Sequence, residues 1–317
     1  MSISENNLIA ISGGIGGAKL CYGLDQILQP GQLRVIANTG DDFLYLGFYI
    51  SPDIDTLIYT LAEVNNKETG WGREDETWKT HNVLGELGAD NWFKLGDKDL
   101  ALHLHRSKAL RNGETLTSIT QDIAERFKLK TVILPMSDHI IQTVVDTDEG
   151  SMTFQEYFVK ESTNPKVREI SFESKHPEST KEVLEAINDP ELSGFLIAPS
   201  NPYLSVDPIL SIDKIKQTIM QSNKPRVAVS PIIGGDSVKG PTAKIMEEMG
   251  LEVNVMTIAN HYEDLIDGLI IDNTDEEYIQ AIESSGIKVK VSNILMNNND
   301  DKTRLAEEAI EFLNELS

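Results

Sequence analysis

The stretch Leu8-Ile9-Ala10-Ile11-Ser12-Gly13-Gly14-Ile15-Gly16-Gly17-Ala18-Lys19 decides the fold. An apolar run reads as a strand, four glycines within five positions read as a turn, and residues 20–28 continue as a helix. Strand, glycine turn and helix in that order open an α/β domain. Glycine lets the backbone come close to a bulky anion and point N–H groups at it. A helix start adds partial positive charge, and Lys19 adds a formal one. Gly13, Gly14, Gly16, Gly17 and Lys19 are therefore the first candidate phosphate contacts. The bland alternative is a tight strand-to-helix turn with no ligand. Neither standard fingerprint fits. Lys19 stands where a dinucleotide motif has its third glycine, and Ala18 and Leu20 flank it where a P-loop needs Gly and Ser or Thr.

Working outward, apolar runs recur at 33–37, 131–134, 194–198, 226–229 and 268–271. Amphipathic helical patterns lie between several of them, at 56–64 and 116–127. This alternation predicts a doubly wound, mostly parallel, Rossmann-like sheet in one domain over residues 1–317. Residues 70–112 hold all three tryptophans and read as an inserted helical lobe or lid. Residues 144–190 read as a small hairpin followed by an edge-covering segment, and 302–316 as a terminal helix.

Composition narrows the function. The 317 residues carry 28 Lys+Arg against 51 Asp+Glu, a formal net charge of −23. Such a chain repels nucleic acid, and an anionic substrate would need local cations, N–H groups or a metal. One cysteine, Cys21, forbids an internal disulfide framework and fits a reducing compartment. The polar start at residues 1–7 has no leader pattern, and no apolar run reaches the roughly 20 residues of a membrane helix. A cytoplasmic location is expected.

Polar turns follow four of the strands: Asn38-Thr39-Gly40-Asp41-Asp42, Pro135-Met136-Ser137-Asp138, Pro199-Ser200-Asn201-Pro202 and Ser230-Pro231-Ile232-Ile233-Gly234-Gly235. In a doubly wound sheet these ends share one cleft. Asn38, Ser200, Asn201, Ser230 and Gly234 are thus candidate ligand contacts, and Lys239 adds a cation in a turn. Ser51-Pro52-Asp53-Ile54-Asp55 reads as a helix start with Ser51 as N-cap and Pro52 at the first helical position. It also reads as a Mg²⁺ site. Positions i and i+2 diverge by about 200° on a helix, so Asp53 and Asp55 are not expected to share one ion, and Asp41 or Asp42 would complete the site. Gly96-Asp97-Lys98-Asp99 could fix a phosphate or a polar ring, or could simply start a helix. His103 and His105 diverge as well, which argues against zinc. A dehydrogenase using NAD and a non-catalytic nucleotide or sugar-phosphate binder are the rival readings. Asn38, where a ribose-binding acid would stand, counts against the first.

Taken together, the glycine turn, the Asn38–Asp42 motif, Ser51–Thr56, Leu95–Asp99, Leu134–Asp138, Phe154-Gln155-Glu156-Tyr157, Pro199–Pro202 and Ser230–Gly235 resemble the 2-phospho-L-lactate transferase family over roughly residues 8–272. The resemblance implies transfer of a phospholactyl or phosphoenolpyruvyl group in coenzyme F-420 synthesis. The donor would be guanosine diphosphate-type (lactyl-2-diphospho-5'-guanosine), and the acceptor 7,8-didemethyl-8-hydroxy-5-deazariboflavin. GMP would leave, Mg²⁺ would be required, and the protein would be a homodimer. It places the guanosine donor at the glycine turn, 199–202 and 230–235. Asp53 and Asp55 would lie near metal and acceptor, and Asp97 and Lys98 near the acceptor. Within that frame Asp55 is expected to accept the hydroxyl proton, with Asp53 a metal ligand and Asp42 beside it. Ile15 stands where many members carry Thr, and His139 where a second Asp is common.

Overall fold

The computed structural model describes residues 7–238 and 240–317, so the polar start and Lys239 lie outside the described residues. Seven strands form the central sheet: β1 (Asn7–Ser12), β2 (Leu33–Ala37), β3 (Val132–Pro135), β4 (Leu192–Ile197), β5 (Arg226–Val229), β6 (Gly268–Asp272) and β7 (Lys288–Ser292). Their spatial order is β7-β6-β5-β4-β1-β2-β3, and every neighbouring pair is parallel. Leu8 lies beside Leu33 on one side and Gly194 on the other. The doubly wound architecture expected from the sequence is therefore present. The chain builds outward from β1 to β3, then returns and builds the other way from β4. Between β1 and β4 the winding reverses, which is where ligands bind in such sheets. β7 is not among the six apolar runs. It reads Lys-Val-Lys-Val-Ser at a sheet edge, where only part of each side chain is covered.

Side chains alternate across the sheet and feed two cores. Leu8 and Ala10 face one, Ile9 and Ile11 the other. The first core takes Leu20 and Leu24 from α1 (Gly14–Ile27) and Ile54 and Ile58 from α2 (Pro52–Leu61). Leu102 of α3 (Asp97–Arg111), Ile119 of α4 (Leu116–Arg126) and Leu313 of α5 (Asn299–Glu315) complete it. Val183, Ile215 and Ile258 from helices Lys181–Ile187, Asp213–Gln221 and Val255–His261 cover the opposite face. Cys21 is fully buried in α1, and burial pushes its thiol up to about 12.

Smaller units decorate this frame. Phe43–Tyr45 and Phe48–Ile50 form a hairpin. Gly150–Thr153, Gln142–Thr147 and Val167–Glu173 form a three-stranded antiparallel sheet. Helix Lys79–Glu86 buries none of its side chains, whereas α3 buries Leu102, His103 and Arg106. The peripheral part of the 70–112 stretch thus ends before α3, which belongs to the core.

The glycine turn is shaped by contact as much as by any ligand. A Cβ on Gly16 would collide with the Pro199 carbonyl oxygen, and one on Gly13 with the Asp53 carboxylate and Ser205. Gly14 has φ +66°, which favours glycine. We expect Gly16→Ala to lose about 1–3 kcal/mol of stability through overpacking. Chemical denaturation measures this, and an unchanged midpoint would mean that the turn does not press on Pro199. The same contact makes substitution of Gly16 unsuitable as a probe of ligand binding alone.

Candidate active site

Five segments meet at the carboxyl edge of β1, β2 and β4. Ser200 Oγ accepts from Gly13 N (3.2 Å) and donates to Gly13 O (2.7 Å), which locks the first turn to the end of β4. Asp53 reaches from α2 to the start of α1, where one oxygen accepts from Gly14 N (2.7 Å). Its other oxygen accepts from Asn38 Nδ2 (2.9 Å) at the end of β2. Asn38 also donates to Leu204 O (3.3 Å) and accepts from Gly40 N (2.8 Å). A carboxylate of the chain itself therefore sits where the sequence suggests an anion. Ser51 stands at the N-cap position of α2, but its hydroxyl donates to Asp42 Oδ2 (2.8 Å) rather than closing on its own helix.

Asp55 points elsewhere. Arg106 of α3 grips it with both terminal nitrogens, Nη1 to Oδ2 at 3.0 Å and Nη2 to Oδ1. His103 braces the pair, with Nδ1 3.4 Å from Arg106 Nη1 and 3.6 Å from Asp55 Oδ2. Its Nε2 lies 3.4 Å from Asp99 Oδ2, and Tyr59 Oη donates to Asp99 Oδ1 (2.6 Å). Asp99, His103 and Arg106 stand at i, i+4 and i+7, hence on one face of α3. Asp53 and Asp55 thus serve two separate networks.

Charge in this corner is unbalanced. Asp41, Asp42, Asp53 and Asp55 are each 5% exposed, and the buried cation set among them is Arg106, 1% exposed. Burial, then the Asp53 charge, raises Asp41 well above the ordinary carboxyl range. Burial does the same to Asp42, against the opposing Ser51 bond and Arg106 charge. Asp53 is pushed up to about 6 by burial, with the Asn38 and Gly14 bonds pulling the other way. Burial would also raise Asp99, but the His103 and Tyr59 bonds outweigh it and hold the group low. One oxygen each of Asp41 and Asp42, Thr39 Oγ1, Thr143 Oγ1 and Asn201 Nδ2 are buried without a hydrogen-bond partner. Unpaired buried polar atoms carry a cost of about 1–3 kcal/mol each, and here they gather at one edge of the sheet.

These residues suit a hard divalent cation. Mg²⁺ takes one or two carboxylates and fills its shell with water and phosphate oxygens. The unpartnered oxygens of Asp41 and Asp42 are donors of that kind. Among the described residues it is Asp55, Asp99 and His103 whose ligand atoms lie within 4.8 Å of one another. There the Arg106 fork already occupies Asp55, and a guanidinium repels a second cation.

The remaining candidates fall in other places. Lys19 Nζ donates to Met296 O (2.7 Å), toward the loop before α5. Asn201 Oδ1 accepts from Tyr203 N (3.0 Å) and Leu204 N (3.1 Å). Ser230 closes its own turn on Ile232, and Gly234, at the tip of a two-strand hairpin, donates its N–H to Asp275 (3.0 Å). Asp97 accepts from Thr77 Oγ1, Thr80 N (3.0 Å) and Lys79 N (3.2 Å), and the hydroxyl of Thr77 contributes most to lowering it to about 2. Lys98 Nζ donates to Glu74 O (2.9 Å), while Glu76 accepts from Lys98 N (2.9 Å) and Asp99 N (2.8 Å). Asp97 and Lys98 therefore fasten residues 74–80 to the start of α3. A recess of about 30 Å³ opens beside them, lined by Trp71, Arg73, Trp78 and Asp99.

Residues 8–311 match the family described as 2-phospho-L-lactate transferase CofD. The chain is a member of that family. It is 36% identical over 314 residues to the 2-phospho-L-lactate transferase of Methanocaldococcus jannaschii, covering 98% of this chain and 99% of the relative. It is 34% identical over 316 residues to the phosphoenolpyruvate transferase of Streptomyces griseus, covering 98% and 99%. A crystal structure of a UPF0052 family protein from Bacillus halodurans shares the fold, with TM-score 0.66 and 17% identity over 96% of this chain and 99% of that one. Family membership makes the chain a transferase and sets aside the dehydrogenase and non-catalytic readings. Among the described residues no helix is long and apolar enough to cross a membrane.

The raised Asp53 predicts a pH effect of defined sign. A carboxyl lifted to about 6 holds its proton more tightly folded than unfolded. Its contribution to stability is full below the ordinary aspartate value of about 4 and is lost as pH rises through about 6. Between those values the metal-free protein should lose melting temperature relative to Asp53→Asn. Parallel curves for the two proteins would show that Asp53 is not raised.

Proposed function

We propose that this family member carries a phospholactyl or phosphoenolpyruvyl group from a guanosine diphosphate-type donor to the terminal hydroxyl of 7,8-didemethyl-8-hydroxy-5-deazariboflavin. GMP leaves, Mg²⁺ assists, and the product belongs to coenzyme F-420 synthesis. The observation that carries this reading is the uncompensated set of buried carboxylates at the point where the sheet reverses its winding. The names of the relatives support the group transferred.

Asp41 and Asp42 would hold the metal, which when bound would neutralise donor phosphate charge. The acceptor oxygen forms a bond to phosphorus, the bond from that phosphorus to the bridging oxygen breaks, and GMP departs with the electron pair. The hydroxyl proton passes to a carboxylate. Asp53 suits this role better than Asp55, because a base works best near the operating pH and Asp55 is committed to Arg106. This gives Asp53 the base role expected of Asp55 from sequence and leaves Asp55 outside the metal's ligands. The first turn of α1 offers backbone N–H groups to the donor. The acceptor would approach along α3, where Trp71 and Trp78 present flat faces. The recess lined by Trp71, Arg73, Trp78 and Asp99 is about 30 Å³, room for little more than a water.

The test supplies purified protein with the deazaflavin and, separately, the guanylylated forms of phospholactate, phosphoenolpyruvate and phosphoglycerate. GMP release matched by a phosphoester of the deazaflavin, lost with chelator and restored by Mg²⁺, is expected with one of the first two. Asp53→Asn should lower turnover about a hundredfold or more. Absence of product with all three donors would sink the reading.

A further inference from the structure

We propose that Arg73 is a binding residue for the planar ring of the acceptor, its guanidinium taking a ring oxygen in the recess it shares with Trp71 and Trp78. The proposal rests on the acceptor chemistry given above and adds the residue that recognises the ring. Arg73 makes no ion pair and no side-chain hydrogen bond with the described residues, and its Nε is buried without a partner. Arg34, Arg106, Arg226 and Arg304, the other described arginines that are not exposed, each hold an aspartate or glutamate. The contrast is sharp in a chain with 51 acidic residues. Two of those acids, Glu76 and Asp99, line the same recess and are turned to other partners. Glu76 accepts from the backbone N–H groups of Lys98 and Asp99. Asp99 takes the Tyr59 hydroxyl on one oxygen and lies 3.4 Å from His103 Nε2 with the other. The guanidinium is held all the same, with its central carbon 5.6 Å from the Tyr59 ring centre and 5.5 Å from that of Phe127. Such contacts fix a cation without using its N–H groups.

A fixed fork of donors with no acceptor of its own calls for an acceptor from outside. The recess, about 30 Å³, admits one oxygen atom and not a ring. The ring would lie outside it against Trp71, which is 45% exposed and offers an apolar face. The acceptor's ring hydroxyl is conjugated with the carbonyls of its pyrimidine half, so ionisation spreads negative charge over its ring oxygens. A guanidinium bonds such an oxygen about twice as strongly as a neutral one. The spacing suits one molecule. Tyr59 stands six residues beyond Asp53 on α2, about 9 Å along the helix axis. A five-carbon chain carrying the reacting hydroxyl, together with the ring, bridges a separation of that order.

The test titrates unaltered protein and Arg73→Gln with the deazaflavin and with riboflavin, which lacks the ring hydroxyl, in the presence of GDP and Mg²⁺. Absorbance of the bound deazaflavin is followed across pH. Asp99, Glu76 and Tyr59 surround the guanidinium in both proteins, so the comparison isolates the arginine charge. The bound ring should ionise about one pH unit or more higher in Arg73→Gln than in the unaltered protein. Arg73→Gln should weaken the ionised deazaflavin about tenfold or more and riboflavin about threefold or less. Arg73→Lys, which keeps the charge, should keep most of the lower ionisation point. An arginine that only fastens the outer segment would instead weaken both ligands equally and leave the ionisation point where it was, which would overturn the inference alone. Failure of the unaltered protein to bind the deazaflavin would overturn the proposed acceptor as well. Should Arg73→Gln not fold, Arg73→Met, apolar and of similar reach between the two rings, carries the same expectations.

Discussion

Ser200 and the Gly13 backbone exchange two hydrogen bonds across the gap between β4 and β1. That short bridge sets how closely the first helix approaches the other half of the sheet. Gly16 then has room only for hydrogen against Pro199, and Gly13 only for hydrogen against Asp53. Because the turn lies so close, Asp53 can reach Gly14 N from α2 while also taking the Asn38 amide. Helix α2, the end of β2 and the start of α1 are in this way fixed to one carboxylate. The position of the rest of the acidic cluster follows from it.

The cluster is stable as a set of opposed costs. Desolvation favours neutral carboxyls, as the upward displacement of Asp41, Asp42 and Asp53 shows. Hydrogen bonds from Ser51, Asn38 and Gly14 favour the charged forms. Carboxyls raised by burial in this way respond strongly to a charge placed beside them.

The fold was legible because its strands are short apolar runs separated by amphipathic helices. β7 escaped notice because alternating lysine and valine at an edge resemble a solvated segment. The site was legible as a neighbourhood: Asn38, Asp53, Ser200 and the glycine turn do converge. Their roles were harder to read. Glycines that suggest an anion cradle also satisfy a packing contact, and a sequence does not say which need came first. Asp97 and Lys98 look like ligand contacts but spend their side chains on residues 74–80. Arg106 was missed because it lies on a helix crowded with charges, where a solvated face is the ordinary expectation. Its i, i+4, i+7 relation to Asp99 and His103 was the available signal. Nothing in the local sequence announces that this face turns inward.

The buried state of Cys21 has a practical corollary. Its thiol is sealed inside α1 and needs strongly alkaline conditions to ionise, so alkylating dyes at neutral pH would pass it by. A new cysteine at an exposed site such as Leu87, 77% exposed on the peripheral segment, would then be the sole labelling point without first stripping out the native one. The chain is by its own construction ready for single-dye spectroscopy, with the outer segment as the natural place to attach the reporter.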